Sequence, residues 1–227
     1  MGTDARPGHP QAWRRVALLG LPFGLLTGMF GPAWASDASV VPGSGSARLS
    51  LPIPVGESWT LVQGPHNTAG GAATPLSSLD LAGGSGHVVA AADGVVQPIS
   101  TATCANPDPS AGLVVIDHGN GWHTSYYHLR NVQVVVGQTV RRGERLGDTG
   151  TALPCGGSAV GNHTHFGIAY YTSGEFSFGT NMVDIRGMDI GGWTVWGTTH
   201  RGCLINDRTL VRVCSGQQGV VNTGISG

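Results

Sequence analysis

Charge is scarce in this sequence: Asp, Glu, Lys and Arg make up 11% of its 227 residues, with 12 basic groups against 13 acidic ones. So even a balance creates no broad field for steering nucleic acid or an anionic membrane surface, and neither is expected as a partner of the mature chain. Lysine is absent altogether, every basic residue being arginine; that absence carries no functional weight. Beyond residue 35 no stretch of about ten residues repeats its apolar positions at helical spacing, so a helical bundle or a doubly wound α/β fold is excluded. There is no His-Glu-x-x-His, which excludes the helix-borne way of presenting two metal-binding histidines. No Cys-x-x-Cys spacing occurs, which counts against a zinc–thiolate cluster.

What is present points to strands. Glycine occurs 38 times, and from Leu49 onward short apolar runs alternate with glycine-rich turns. Strands are expected at 60–63, 78–81, 87–91, 94–99, 113–118, 122–128 and 163–171, with further candidates at 132–136 and 208–213. The length suits one domain with a proper core, and the expected class is all-β. In the segment 134–147 the regularly placed Gly137, Gly143 and Gly147 are expected to take positive φ in tight turns, forming scaffold.

The first 35 residues read as an export signal. Arg14 and Arg15 precede the apolar stretch Val16–Phe30, and Ala33-Trp34-Ala35 offers small residues where a signal peptidase reads them. Residues 36–47 are a small, polar leader, and the domain is expected from 48 to 227. An exported chain meets an oxidising compartment, where Cys104, Cys155, Cys203 and Cys214 form an even set with three possible pairings. Cys203 and Cys214 flank a probable hairpin turning near Asn206-Asp207, so these two are paired, leaving Cys104 with Cys155.

Five residues carry the chemistry. His163 and His165 stand two apart where a strand begins, so they project to one face while Thr164 points away. Asp80 sits between Leu79 and Leu81 on a short strand, either solvated or held for a purpose; thirteen residues, including a glycine-rich loop, separate it from His66 in Gly64-Pro65-His66. His128 follows Tyr126-Tyr127 at the end of another strand. Separately these are weak signals. Together, two histidines and a carboxylate, His66, Asp80 and His165, meet the needs of a catalytic zinc with one open position. His128 and His163 then remain to move protons and stabilise developing charge. His118 and His123 flank the Gly119-Asn120-Gly121 turn and are expected to be solvated, and His87 and His200 have no evident partner. Trp193 and Trp196 are expected to pack the core.

In this order the motifs Gly64-Pro65-His66, Ser78-Leu79-Asp80-Leu81, Ala90-Ala91-Ala92-Asp93-Gly94-Val95-Val96, Tyr127-His128-Leu129 and His163-Thr164-His165 resemble the lysostaphin-type zinc endopeptidases, and within them the LasA and beta-lytic group. The resemblance runs from about Leu51 to Val213. It implies one zinc on His66, Asp80 and His165, a catalytic pair in His128 and His163, and two disulfides in the order given. It also implies an antiparallel β-sheet core with a narrow groove walled by loops and a peptidoglycan substrate, often at Gly-Gly bonds, or a glycine-rich protein. The spacing of His66 and Asp80 is the long type of the LasA group. A monomeric, secreted metalloendopeptidase is therefore expected. The rival is a non-catalytic wall-binding or wall-hydrolase-activating domain; such relatives have lost ligands, whereas all five positions are filled here.

Overall fold

The computed structural model describes residues 48–68, 75–102, 104–174 and 176–224. The export segment and leader expected over 1–47 lie outside the described residues. Thirteen strands run in chain order: β1 Ser58–His66, β2 Ser78–Gly83, β3 His87–Val89, β4 Gly94–Val96, β5 Val114–Asp117, β6 Trp122–Tyr127 and β7 Thr139–Val140. After these come β8 Arg145–Asp148, β9 Thr164–Tyr170, β10 Trp193–Trp196, β11 Cys203–Asn206, β12 Arg212–Cys214 and β13 Gln217–Val221. Two single 3-10 turns are the only helical elements among the described residues, so none is long and apolar enough to cross a membrane.

Eight strands form one antiparallel sheet in the order β13-β1-β2-β9-β6-β5-β4-β7, with β10-β11-β12 and β3-β8 as smaller sheets. Strand alternation divides the large sheet into two chemistries. On one face Leu79, Leu81, Val114, Ile116, Tyr126, Phe166 and Ile168 join Trp59 and Leu61 in the main core. Burying a side chain such as Phe166 fully stabilises the fold by roughly 1.5–3 kcal/mol, so this face fixes the register. The opposite face carries Asp80, Ser125, Tyr127, His165 and Gly167, backed by a smaller cluster of Ile99, Leu113, Val115, Phe176 and Phe178. Cys104–Cys155 ties the loops over this second cluster and Cys203–Cys214 closes the β11–β12 hairpin, so all four cysteines are in disulfides.

Some expectations need correction. The run 132–136 is not a strand: Val135 and Val136 are exposed and no neighbouring strand offers them a ladder. Gly137 and Gly143 take positive φ, but Gly147 does not. It is required for close approach, because a Cβ there would lie 3.0 Å from the Arg130 carbonyl oxygen. Trp193 is buried, with Nε1 donating to Val221 O, whereas Trp196 is exposed beneath the Arg212 guanidinium.

The histidines beside the β5–β6 turn are not solvated. His123 is buried, stacked on Tyr171 with Nδ1 donating to Gly121 O. His118 is half-buried; its Nδ1 donates to Asp93 O at 2.8 Å and its Nε2 lies 2.7 Å from Thr124 Oγ1. Burial, reinforced by the neighbouring His123, pushes the His118 pKa down to about 4, against the pull of the Asp93 carbonyl. The unfolded value is about 6.5, so His118 is neutral in both states above that pH and its contribution to stability is complete there. As pH falls from about 6.5 toward about 4, the unfolded chain takes up a proton that the folded one refuses, and stability drops. Thermal midpoints across this window should fall more steeply for the wild type than for His118→Asn. Parallel curves would remove His118 from the acid response.

Candidate metal centre

The strand register builds the centre. Asp80 on β2 is paired with His165 on β9, and His165 with Tyr127 on β6, so the three stand in one row on the polar face. His66 ends β1 after two register shifts in its pairing with β2, at Leu61/Gln63 and Gln63/His66. His66 Nε2 lies 3.1 Å from His165 Nδ1 and 3.3 Å from Asp80 Oδ1, and His165 Nδ1 lies 3.0 Å from the same carboxylate oxygen. His128 and His163 sit beside this trio, their rings 4.6 Å apart, with His163 Nε2 3.8 Å from Asp80 Oδ2. Asp80 is only 8% exposed, His128 4%, and His163 and His165 6% each. A solvated strand aspartate is thereby excluded: Asp80 turns away from Leu79 and Leu81 into a buried polar cluster.

Proton positions follow from the partners. A carbonyl only accepts, so each Nδ1 facing one must carry the ring proton. His66 Nδ1 donates to Gly64 O at 2.8 Å, His128 Nδ1 to Ala152 O at 2.9 Å and His163 Nδ1 to Gly161 O at 3.0 Å. In its neutral form each of these three rings therefore keeps a lone pair on Nε2. His165 is reversed: its Nδ1 faces the other ligand atoms, while its buried Nε2 has no hydrogen-bond partner.

These atoms fit a cation. With Nε2 of His165 protonated, Nδ1 of His165, Nε2 of His66 and Oδ1 of Asp80 are three acceptors in mutual contact, a repulsive set unless a positive ion lies between them. Ligands at zinc bond lengths in tetrahedral array stand roughly 3.3 Å apart, matching the 3.0–3.3 Å found. His66, Asp80 and His165 are also the only such trio of potential metal-ligating side chains among the described residues.

The electrostatics agree. Burial opposes ionisation of Asp80, but the adjoining imidazoles of His165 and His66, which favour a negative charge whenever either is protonated, outweigh it and hold the carboxyl well below the usual carboxylate range. Burial also disfavours the charged form of His66, yet Asp80 reverses the balance and raises it. His165 is lowered, chiefly by burial. His128 is pushed down to about 4 by burial, the Ala152 carbonyl opposing and His163 adding to the effect, so it is neutral near pH 7.

All five expected residues are thus brought together, and His87, His118 and His123 are elsewhere. His87 has a partner after all, its Nδ1 2.8 Å from Asp148 Oδ1. Missed in the sequence were the backbone carbonyls of Gly64, Ala152 and Gly161, which aim three rings, and Tyr127. The Tyr127 hydroxyl accepts from Cys155 N and donates to Gly156 O, pinning the loop after Ala152. Backbone acceptors leave no mark in composition or spacing. His128 itself holds a left-handed φ of 66°, a strained state for a non-glycine residue.

Residues 74–177 match the model for Peptidase family M23, a span holding Asp80, His128, His163 and His165, with His66 just before it. The beta-lytic metalloendopeptidase of Lysobacter enzymogenes is 32% identical over 149 residues, covering 62% of this chain and 82% of that protein. The peptidoglycan DD-endopeptidase ShyA of Vibrio cholerae is 44% identical over 59 residues, covering 26% of this chain and 13% of its own. Among solved structures, an M23 metalloprotease, pseudoalterin from the deep sea, superposes with a TM-score of 0.58 at 25% identity, covering 77% of this chain and 98% of that one. A His–Asp–His trio on an antiparallel sheet, two of its members buried, together with a relative matched over most of its length, places this chain in peptidase family M23, among the metallopeptidases.

Proposed function

We propose that the protein is a secreted zinc metalloendopeptidase that hydrolyses peptide bonds in bacterial peptidoglycan, Gly-Gly bonds of cross-bridges foremost. The observation that carries this reading is the convergence of His66 Nε2, Asp80 Oδ1 and His165 Nδ1 beside two imidazoles aimed by backbone carbonyls. His66, Asp80 and His165 hold the ion. A zinc bound there supplies Lewis acidity and lowers the pKa of water toward neutrality. Asp80 contributes the one negative charge of the ligand set, and the buried surroundings strengthen its hold. His128 and His163, their protons fixed on Nδ1, each offer an Nε2 lone pair: one accepts the proton of the attacking water, and the protonated ring then returns it to the leaving amine. The same pair stabilises the developing oxyanion when protonated. The wall substrate is supported by the similarity to the Vibrio cholerae peptidoglycan endopeptidase and by the sequence resemblance, and the narrow groove that the resemblance implies would suit glycine, because an extended backbone without side chains lies close to the ion.

Purified protein should release fragments with new amino-terminal glycine from pentaglycine-bridged walls, read by mass spectrometry. Directly cross-linked walls should be cut more slowly. A protein that holds zinc yet cuts neither wall nor a glycine-rich peptide is a binding module instead.

A further inference from the structure

His66 meets the other ligand atoms with Nε2, so its single ring proton has to remain on Nδ1. That proton is held by Gly64 O at 2.8 Å, and one carbonyl therefore sets both tautomer and aim of the ring. Gly64 is fixed in turn from a distant part of the chain. Its N–H donates to Ser215 Oγ at 2.9 Å, and the Ser215 hydroxyl donates to Thr199 O at 2.7 Å, with Gly202 O at 3.2 Å. A Cβ on Gly64 would lie 2.5 Å from Gly202 Cα, and one on Gly202 would lie 2.5 Å from Pro65 Cδ. Neither glycine has positive φ, so backbone contact, and not turn geometry, demands them. Pro65 further restricts rotation of the preceding residue. Once the N–H and Cα of Gly64 are pinned, its carbonyl has little freedom left.

The pinning groups move as one. Gly202 and Ser215 directly flank Cys203 and Cys214, which face each other across the β11–β12 ladder and are joined by a disulfide. Ser215 N also donates to Gly202 O, and Gly216 N to Leu61 O on β1. This hairpin lies outside the span of the family match.

We propose that Ser215 is a positioning residue of the metal centre, acting through Gly64 on the His66 imidazole; this rests on the reading of His66 as a ligand. A hydroxyl that served only to satisfy the buried Gly64 N–H would affect stability alone. One that positions His66 affects the ring and the ion.

The test uses the full chain, metal-free and then titrated with zinc. In metal-free wild type labelled with ¹⁵N-histidine, long-range proton–nitrogen spectra should place the His66 proton on Nδ1. In Ser215→Ala the His66 signals should move toward a mixture of tautomers. Zinc affinity, read by competition with a chromophoric chelator, should weaken about tenfold or more, the scale on which groups behind a ligand act. Ser215→Thr, which keeps the hydroxyl, should return both readings toward wild type; if Ser215→Ala does not fold, Ser215→Cys replaces it. Unchanged tautomer and affinity with only a lower melting temperature would overturn the proposal. If His66→Ala binds zinc as tightly as wild type, the ligand reading fails and takes the proposal with it.

Discussion

Alanine in place of His165 should remove the metal and the activity together. Its Nδ1 lies 3.0 Å from Asp80 Oδ1 and 3.1 Å from His66 Nε2, so both other ligand atoms touch this ring. Zinc content, close to one equivalent in the wild type, should fall near zero on purification without added metal. Turnover should fall by about 10³-fold or more, since several kcal/mol of charge stabilisation leave with the ion. A structural cost is expected too, because the buried Asp80 carboxylate is left without the ion that offsets its charge and without the ring packed against it. A fold check by circular dichroism belongs beside the metal assay. Full zinc in a folded His165→Ala would refute the ligand set.

His128→Ala and His163→Ala should behave in the opposite way. His163 Nε2 stands 3.8 Å from Asp80 Oδ2, the His128 and His165 ring centroids are 6.0 Å apart, and each ring is held by its own carbonyl. Both variants should keep one zinc while turnover on a glycine-rich peptide falls by roughly 10²–10⁴-fold, the span of general acid–base groups. Alanine keeps the Cβ at a residue with φ 66°, so the His128 change relieves no backbone strain and a lower melting temperature is expected beside the lost activity. Zinc retained with full hydrolysis in both variants would discard the proton-transfer roles.

Much of this centre was legible in the chain, for a physical reason. Strand alternation is a local property, and Leu79-Asp80-Leu81 and Thr164-His165-Phe166 each announce one apolar face and one chemical face. The cysteine hairpin was legible too, since its turn and flanking residues lie within a dozen positions. Strands β10 and β13 were not, because Gln217–Val221 is polar and glycine-bearing and becomes a strand only by adding to the edge of β1. The valines at 132–136 misled in the opposite sense: β-propensity without a neighbouring ladder makes no strand. His123 reads as a turn residue until Tyr171 covers it. Least legible were the carbonyl acceptors, which belong to Gly64, Ala152 and Gly161 through conformation and not through identity.

The pairing of Asp80 with His165 and of Leu79 with Phe166 has a consequence for assembly. Moving β9 by one residue against β2 would set Phe166 beside Asp80 and turn His165 into the greasy interior. Such a mispaired sheet could be compact and hydrogen-bonded, yet it would own no ion-binding trio. The side chains of residues 66, 80 and 165 come together only when three strands from both halves of the domain are in register. On the proposed ligand set, ion capture would inspect the weave of the sheet: a chain that takes up its metal has already been proofread.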